Sequence, residues 1–209
     1  MLTLYHAYWS RATRMLALLH ELDAVDQVRR VHIDIARQAG QGEFDARNPH
    51  PDHKVPTLVH DAAVITESAA IALYLTELFP EAGLAPSPGE ADRGPFLTWL
   101  VYSVSVMEPV YNHHAAALDH PILRASFRGV PEVSQRLVDT FADGREYLLG
   151  DRFTAADLMV QSPFQWMRDW APEDAKVQAW IDRVGSRPSQ AWAQKIDAEH
   201  APSDMETQA

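Results

Sequence analysis

Lys54-Val55-Pro56-Thr57-Leu58, followed closely by Ile65-Thr66-Glu67-Ser68-Ala69-Ala70-Ile71, is the most informative stretch of this chain. The first run leads through a proline into a short strand candidate, and the second ends a strand on an acid and a hydroxyl that open a helix. Proline fixes its own backbone, which can then offer N–H and C=O groups to an extended ligand as if adding a strand. Glu67 can meet an ammonium, while Ser68 and the helix-start N–H groups can meet a carboxylate. A peptide-like zwitterion is the ligand chemistry that suits this pair of runs.

Upstream, Leu2 to Tyr5 is a short strand candidate, and Ser10 opens a helix whose Met15, Leu18, Leu19 and Leu22 follow helical spacing. Val28 to Ile33 is expected to be a second strand. Thr57 to His60 and Ala63 to Ile65 form a hairpin around Asp61-Ala62, and Ser68 to Phe79 a helix ended by Pro80. The order is β-α-β, then β-β-α, which is a thioredoxin-like α/β pattern. Residues 34 to 54 are polar and broken by Gly40, Gly42, Pro49 and Pro51, so a loop with at most a short irregular helix is expected there.

Downstream, residues 80 to 91 are rich in proline and glycine and mark a linker between a domain over 1–79 and an all-helical domain over 92–197. In the second domain Phe96, Leu97, Leu100, Val101, Val104 and Met107 make a broad apolar stripe, which Pro109 is expected to kink. Val133, Leu137, Val138 and Phe141 mark a further helix, as do Val177, Trp180, Ile181 and Val184. Thr154 and Asp157 fit a capping box, and Phe153 with Leu158 has the spacing of a hydrophobic staple. Residues 198 to 209 are polar and are expected to be a loose tail.

Composition narrows the function classes. The chain has 209 residues, 46% of them hydrophobic, a net charge of −11 and no cysteine. The acidic balance offers no broad footprint for nucleic acid or an acidic membrane. With no leader at Met1 to Leu19 and no long apolar run, a cytoplasmic protein is expected. The absence of cysteine removes disulfides, a protein thiolate and a dithiol centre, so thiol chemistry must use a borrowed thiol.

Taken together in their order and spacing, the Val-Pro step, the Thr66 to Ile71 run, the linker Phe79-Pro80-Glu81-Ala82-Gly83-Leu84-Ala85-Pro86 and Phe153-Thr154-Ala155-Ala156-Asp157-Leu158 resemble cytosolic-type glutathione S-transferases. The resemblance covers roughly Met1 to Lys195. It implies a thioredoxin-like N-terminal domain, an all-α C-terminal domain, a homodimer, and glutathione as co-substrate attacking a small hydrophobic electrophile or peroxide. It further implies that Ser10 is the catalytic hydroxyl, that Glu67 and Ser68 hold the γ-glutamyl group, that Val55 pairs through its backbone with the cysteinyl unit, and that the Val55–Pro56 bond is cis. Lys54 would approach the glycyl carboxylate.

Ser10 has a physical case of its own, because a hydroxyl before a helix can donate to sulfur while helix-start N–H groups favour negative charge. Moving a thiol pKa by about two units from ~8.5 needs only ~2.7 kcal/mol of differential stabilisation. Simple helix capping is the competing role for this serine. Relatives often carry Asn-Pro-x-Gly before Lys-Val-Pro, whereas this chain reads Asn48-Pro49-His50-Pro51-Asp52-His53. The longer loop displaces Lys54 and brings in His53 as a partner or substitute, with exposed loop residues as the plain reading of His50 and His53. Neither this pair nor His113-His114 has carboxylates at ligand spacing, so no metal is expected. Tyr111 is offered for the electrophile side, beside Trp9, Met107 and Trp166 as further apolar candidates. A non-catalytic glutathione-binding or regulatory protein, and a glutathione-dependent isomerase or dehalogenase, are the alternatives.

Overall fold

The computed structural model describes residues 1–37 and 41–201, which gather into two compact units: Met1–Ala82 together with the chain from Arg187 on, and Gly83–Ser186. The first unit is built on a sheet of order β2-β1-β3-β4. Its strands are β1 (Leu2–His6), β2 (Arg29–His32), β3 (Thr57–His60) and β4 (Ala63–Ile65). β1 and β2 are parallel, with His6 opposite His32, as the intervening helix α1 (Thr13–Glu21) requires. β3 returns antiparallel to β1, placing Thr57 opposite Tyr5, and the hairpin to β4 sets Leu58 opposite Ile65. Helix α2 (Ser68–Leu78) buries Ile71, Ala72 and Leu75 and lies against α1, whose Met15, Leu16, Leu18 and Leu19 are also buried.

Two expectations shift at their edges, and the loop expected over residues 34 to 54 is found as a loop among its described residues. Helix α1 begins at Thr13 rather than Ser10, because Ser10 to Ala12 form a turn closed by the Thr13 N–H donating to the Ser10 carbonyl at 3.0 Å. β2 is shorter than Val28 to Ile33, although both end residues are buried beside it. No helix forms among the described residues of 34 to 54, where Gly42 sits at φ 71 and prolines interrupt the backbone.

The largest correction concerns the C-terminal end. Helix α9 (Pro188–His200) packs on α1 and belongs to the first unit, so residues 198 to 200, assigned above to a loose tail, are helical. Residues 202–209 of that tail lie outside the described residues. The buried face of α9 is Ser189, Gln190, Ala193 and Asp197, which gives no apolar stripe to read. Its hold on α1 is largely polar, with the Trp192 ring also lying 5.5 Å from that of His20. Arg187 donates from Nε and Nη2 to the Glu21 carboxylate at 2.7 and 2.6 Å, and Thr13 Oγ1 donates to Asp197 Oδ2 at 2.5 Å.

The second unit holds α3 (Arg93–Tyr102), α4 (Glu108–Ala115), α5 (Pro121–Ser126), α6 (Val130–Phe141), α7 (Ala155–Gln161) and α8 (Ala175–Gly185). Pro109 would drive its ring into the carbonyl four residues earlier in a regular helix. The wider π-helical turn at Ser103–Met107, between α3 and α4, relieves that clash. The expected stripe is split, since Phe96, Leu100 and Met107 are buried while Val101 is 56% exposed.

Helix α7 has the expected capping box, with the Thr154 N–H donating to Asp157 Oδ2 at 2.9 Å. Asp157 does more than cap. The Thr154 hydroxyl donates to Oδ2 at 3.0 Å, and Oδ1 accepts from the Leu148 N–H at 2.8 Å and from Trp180 Nε1 at 3.0 Å. One buried carboxylate therefore joins the loop before α7, the start of α7 and helix α8. Asp157→Ala orphans four buried donors and is expected to cost about 3 kcal/mol or more, with Asp157→Asn intermediate. Urea unfolding followed by tryptophan fluorescence checks this; a loss below about 1 kcal/mol would contradict it.

In the first unit, His6, His32 and His200 cluster, with ring centroids 5.5, 5.7 and 4.3 Å apart. Burial, reinforced by His32, His200 and Arg30, lowers the His6 pKa to about 3. Burial pushes Asp197 up to about 6, against the opposing pull of the Thr13 hydroxyl, the Trp9 N–H, His200 and Arg37. The His6 contribution to stability is therefore full above its unfolded pKa of about 6.5 and is lost as pH falls toward 3. That of Asp197 is full below its unfolded value of ~3.9 and is lost as pH rises through 6. Between roughly pH 6 and 4 the two oppose each other at about 1.4 kcal/mol per pH unit each. In urea titrations across that range, His6→Leu is expected to gain stability relative to wild type on acidification, and Asp197→Asn to lose it; parallel profiles would contradict the assignment.

Candidate functional site

The strand register brings the three segments singled out in the sequence to one end of the sheet. β1 runs out at His6 into the turn that carries Ser10, while β3 starts at Thr57, opposite Tyr5, directly after Val55–Pro56. β4 ends at Ile65, opposite Leu58, and leads through Thr66 into Glu67 and Ser68. Neighbouring strands are separated by about 4.8 Å, so the three segments are adjacent along that edge.

Each segment has a backbone feature suited to presenting groups. The Val55–Pro56 peptide is cis, as the resemblance implies, and Pro56 is buried while Val55 is half-buried. Glu67 stands at φ 68 and ψ 121, a conformation that costs a non-glycine residue about 1–3 kcal/mol and is seen mainly where function over-determines the backbone. Its side chain makes no capping bond to α2 and is exposed. Ser68 is the first residue of that helix and only 4% exposed. An exposed acid thus stands beside a buried hydroxyl at a helix N-terminus, where the backbone favours an anion.

Ser10 is half-buried. Its hydroxyl donates to the Ala7 carbonyl at 2.7 Å and accepts from the Ala12 N–H at 3.1 Å. The hydroxyl therefore closes the turn that precedes α1 and does not cap the helix, whose cap position is Ala12, and its proton is engaged within that turn. An accepting bond from Ala12 leaves the hydroxyl free to rotate its proton toward another acceptor, at the cost of the Ala7 bond.

The loop before Val55 has an order that the sequence reading missed. Asn48 is buried and donates from Nδ2 to the Lys54 carbonyl at 3.1 Å, while its Oδ1 accepts from the His50 N–H at 3.0 Å. His50 Nδ1 accepts from the Asp52 N–H at 2.9 Å, so His50, 6% exposed, is a buried structural residue and not half of an exposed pair. Thr57 Oγ1 also donates to the Lys54 carbonyl, at 3.0 Å. His53 takes φ 54, the turn conformation glycine adopts without penalty, and its ring lies 5.0 Å from exposed Phe44. The side chains of His53 and Lys54 are both exposed.

Tyr111 lies in the second unit at 2% exposure, with its ring 6.0 Å from Phe164 and 5.6 Å from Trp170. Its hydroxyl is buried without a hydrogen-bond partner among the described residues, and burial raises its pKa. As found, it meets protein rather than solvent. Met107 is buried as well, whereas Trp166 is 50% exposed.

Residues 1–77 match the family described as Glutathione S-transferase, N-terminal domain. A glutathione S-transferase of Emericella nidulans, stcT, is 30% identical over 155 residues, spanning 66% of this chain and 68% of that protein. Among solved structures, a sphingomonad glutathione S-transferase complexed with glutathione superposes with a TM-score of 0.70 at 23% identity, over 94% of this chain and 98% of that one. A glutathione S-transferase from Actinobacillus pleuropneumoniae superposes with a TM-score of 0.77 at 19% identity, over 95% and 93%. The fold is thus that of these solved structures, and the chain belongs to the glutathione S-transferase family.

Proposed function

We propose that the chain binds glutathione along this edge of the sheet and activates its thiol for attack on a small hydrophobic electrophile or a peroxide. The observation that carries the reading is the convergence of the Ser10 turn, cis Val55–Pro56 and Glu67–Ser68 at one end of a single sheet. Val55 offers its backbone to the cysteinyl unit. Glu67 meets the γ-glutamyl ammonium, and the Ser68 hydroxyl and N–H meet the neighbouring carboxylate. Lys54 and His53, exposed side by side, are the donors we assign to the glycyl carboxylate.

In this reading the Ser10 proton turns from the Ala7 carbonyl to the sulfur while Ala12 keeps its bond to the hydroxyl oxygen. The hydrogen bond and the start of α1 together stabilise the thiolate left when the thiol proton passes to solvent, and the thiolate forms a sulfur–carbon bond as the leaving group departs with its electron pair. With a peroxide it takes the terminal oxygen as the O–O bond breaks and the alkoxide leaves to be protonated by water, and a second glutathione converts the sulfenic acid to disulfide and water. We assign the protein to the cytoplasm as a homodimer, in line with its family. Glutathione-dependent isomerisation or dehalogenation would use the same thiolate.

One observation favours a second reading, a binding or regulatory protein without turnover: the Ser10 proton is already bonded to Ala7. The two readings separate on Ser10→Ala, which lowers turnover about 100-fold in the first and, with no turnover to lose, changes only a turn in the second.

Glu67→Ala is expected to weaken glutathione binding by about 10- to 100-fold in isothermal titration, since a hydrogen bond to a charged group contributes about 1.5–3 kcal/mol. Unchanged affinity would remove the γ-glutamyl assignment. Ser10→Ala is expected to keep affinity within about threefold while lowering kcat/KM about 100-fold with a conjugation substrate. A variant that conjugates as fast as wild type would show that another group activates the thiol.

A further inference from the structure

The turn between β1 and α1 must hold its shape while its central hydroxyl changes partner. Trp9, immediately before Ser10, is held at φ 46, a left-handed conformation unfavourable for a bulky residue unless its surroundings enforce it. The Ser10 hydroxyl ties the turn internally through Ala7 and Ala12. Once that proton moves to a sulfur, the tie to Ala7 is gone, and something else must hold the serine in place.

Asp197 of helix α9 is placed to do so. It is 1% exposed and lies 184 residues along the chain from Thr13, whose Oγ1 donates to its Oδ2 at 2.5 Å. The backbone N–H of Trp9 faces the same carboxyl group. The carboxyl therefore reaches donors on both sides of Ser10, one before it and one after.

Anchoring α9 does not by itself account for a buried acid here. The start of that helix is already fastened by Arg187 and Ser189, which both donate to Glu21. Asp197 Oδ1 is buried with no hydrogen-bond partner among the described residues, so the carboxyl is an incompletely satisfied and costly fastening. What it offers over an apolar contact is a directional acceptor for Thr13, with the Trp9 N–H also turned toward the carboxyl.

We infer that Asp197 is a positioning residue for Ser10: it brackets the serine through Thr13 and the Trp9 N–H, so that the hydroxyl can leave the Ala7 carbonyl for a bound sulfur without the turn opening. The inference rests on the reading of Ser10 as the thiol-activating hydroxyl. Helix α9 thereby acts on thiol ionisation, whereas the groups that hold the rest of glutathione, at Val55, Glu67 and Ser68, lie on other segments.

The test uses the full chain with Asp197→Asn, Asp197→Ala and Thr13→Val, and with Glu21→Gln as a control that loosens the other attachment of α9. The thiol pKa of bound glutathione is read from thiolate ultraviolet absorbance against pH, its affinity by calorimetry, and opening of residues 8–14 by hydrogen exchange. Asp197→Ala and Thr13→Val are expected to raise the bound-thiol pKa by about one unit, with Asp197→Asn intermediate. Affinity should change less than about threefold, and exchange in the turn should quicken about tenfold. Glu21→Gln should lower stability while leaving the thiol pKa and turn exchange as in wild type. If Asp197→Ala does not fold, Thr13→Val and Asp197→Asn decide the matter on the same readouts. A lowered thiol pKa in wild type that the bracket variants retain overturns the bracket alone, as does a Glu21→Gln shift of equal size. A wild-type protein that binds glutathione without lowering its thiol pKa overturns the reading of Ser10, and the role of Asp197 with it.

Discussion

The antiparallel pairing of β3 with β1 is the constraint on which the candidate site depends. With Thr57 opposite Tyr5, the residues just before β3 come level with those just after β1. A slip of one residue would exchange Leu58 and Thr57, both fully buried, between the two faces of the sheet and put a hydroxyl where the leucine packs, so the register is set by packing and not by the ligand. The hairpin to β4 then carries Glu67 and Ser68 to the same edge. Chemistry that draws on three separate stretches of sequence thus rests on a few main-chain hydrogen bonds.

Each unit also places a buried carboxylate at a helix start, and the two are handled differently. Asp157 accepts four hydrogen bonds, which satisfy both oxygens, and burial still raises its pKa. Asp197 is engaged through Oδ2 and leaves Oδ1 without a partner among the described residues. A saturated carboxylate is a cross-link, whereas an under-satisfied one leaves an acceptor open; burial raises the pKa of both. The neighbouring histidine cluster, with His6 held neutral by burial, has the opposite dependence on pH.

Much of this was legible in the sequence because the signals were local. The Val-Pro step, the two-residue hairpin at Asp61-Ala62 and the Thr154 to Asp157 box each declare themselves within a few residues. The proximity of Glu67 to a helix start was equally local. Helix α9 hid its role because its buried face is serine, glutamine, alanine and aspartate, with polar contacts replacing an apolar stripe. The link from Thr13 to Asp197 spans most of the chain and has no local signature. The order of the loop at residues 48–54 was illegible for a related reason: it comes from Asn48 and His50 turned inward, where composition alone suggested exposed polar residues.

The return of α9 to the first unit makes that unit discontinuous in sequence, with residues 83–186 inserted between its sheet and its final helix. During synthesis, the sheet strands and α1 therefore emerge long before the helix that covers α1. Non-local contacts of this kind form slowly, because a long loop must close before any of them is gained. The Ser10 turn thus receives its support from Asp197 only when residue 197 has been made, so the catalytic candidate is translated long before the contact that completes its surroundings.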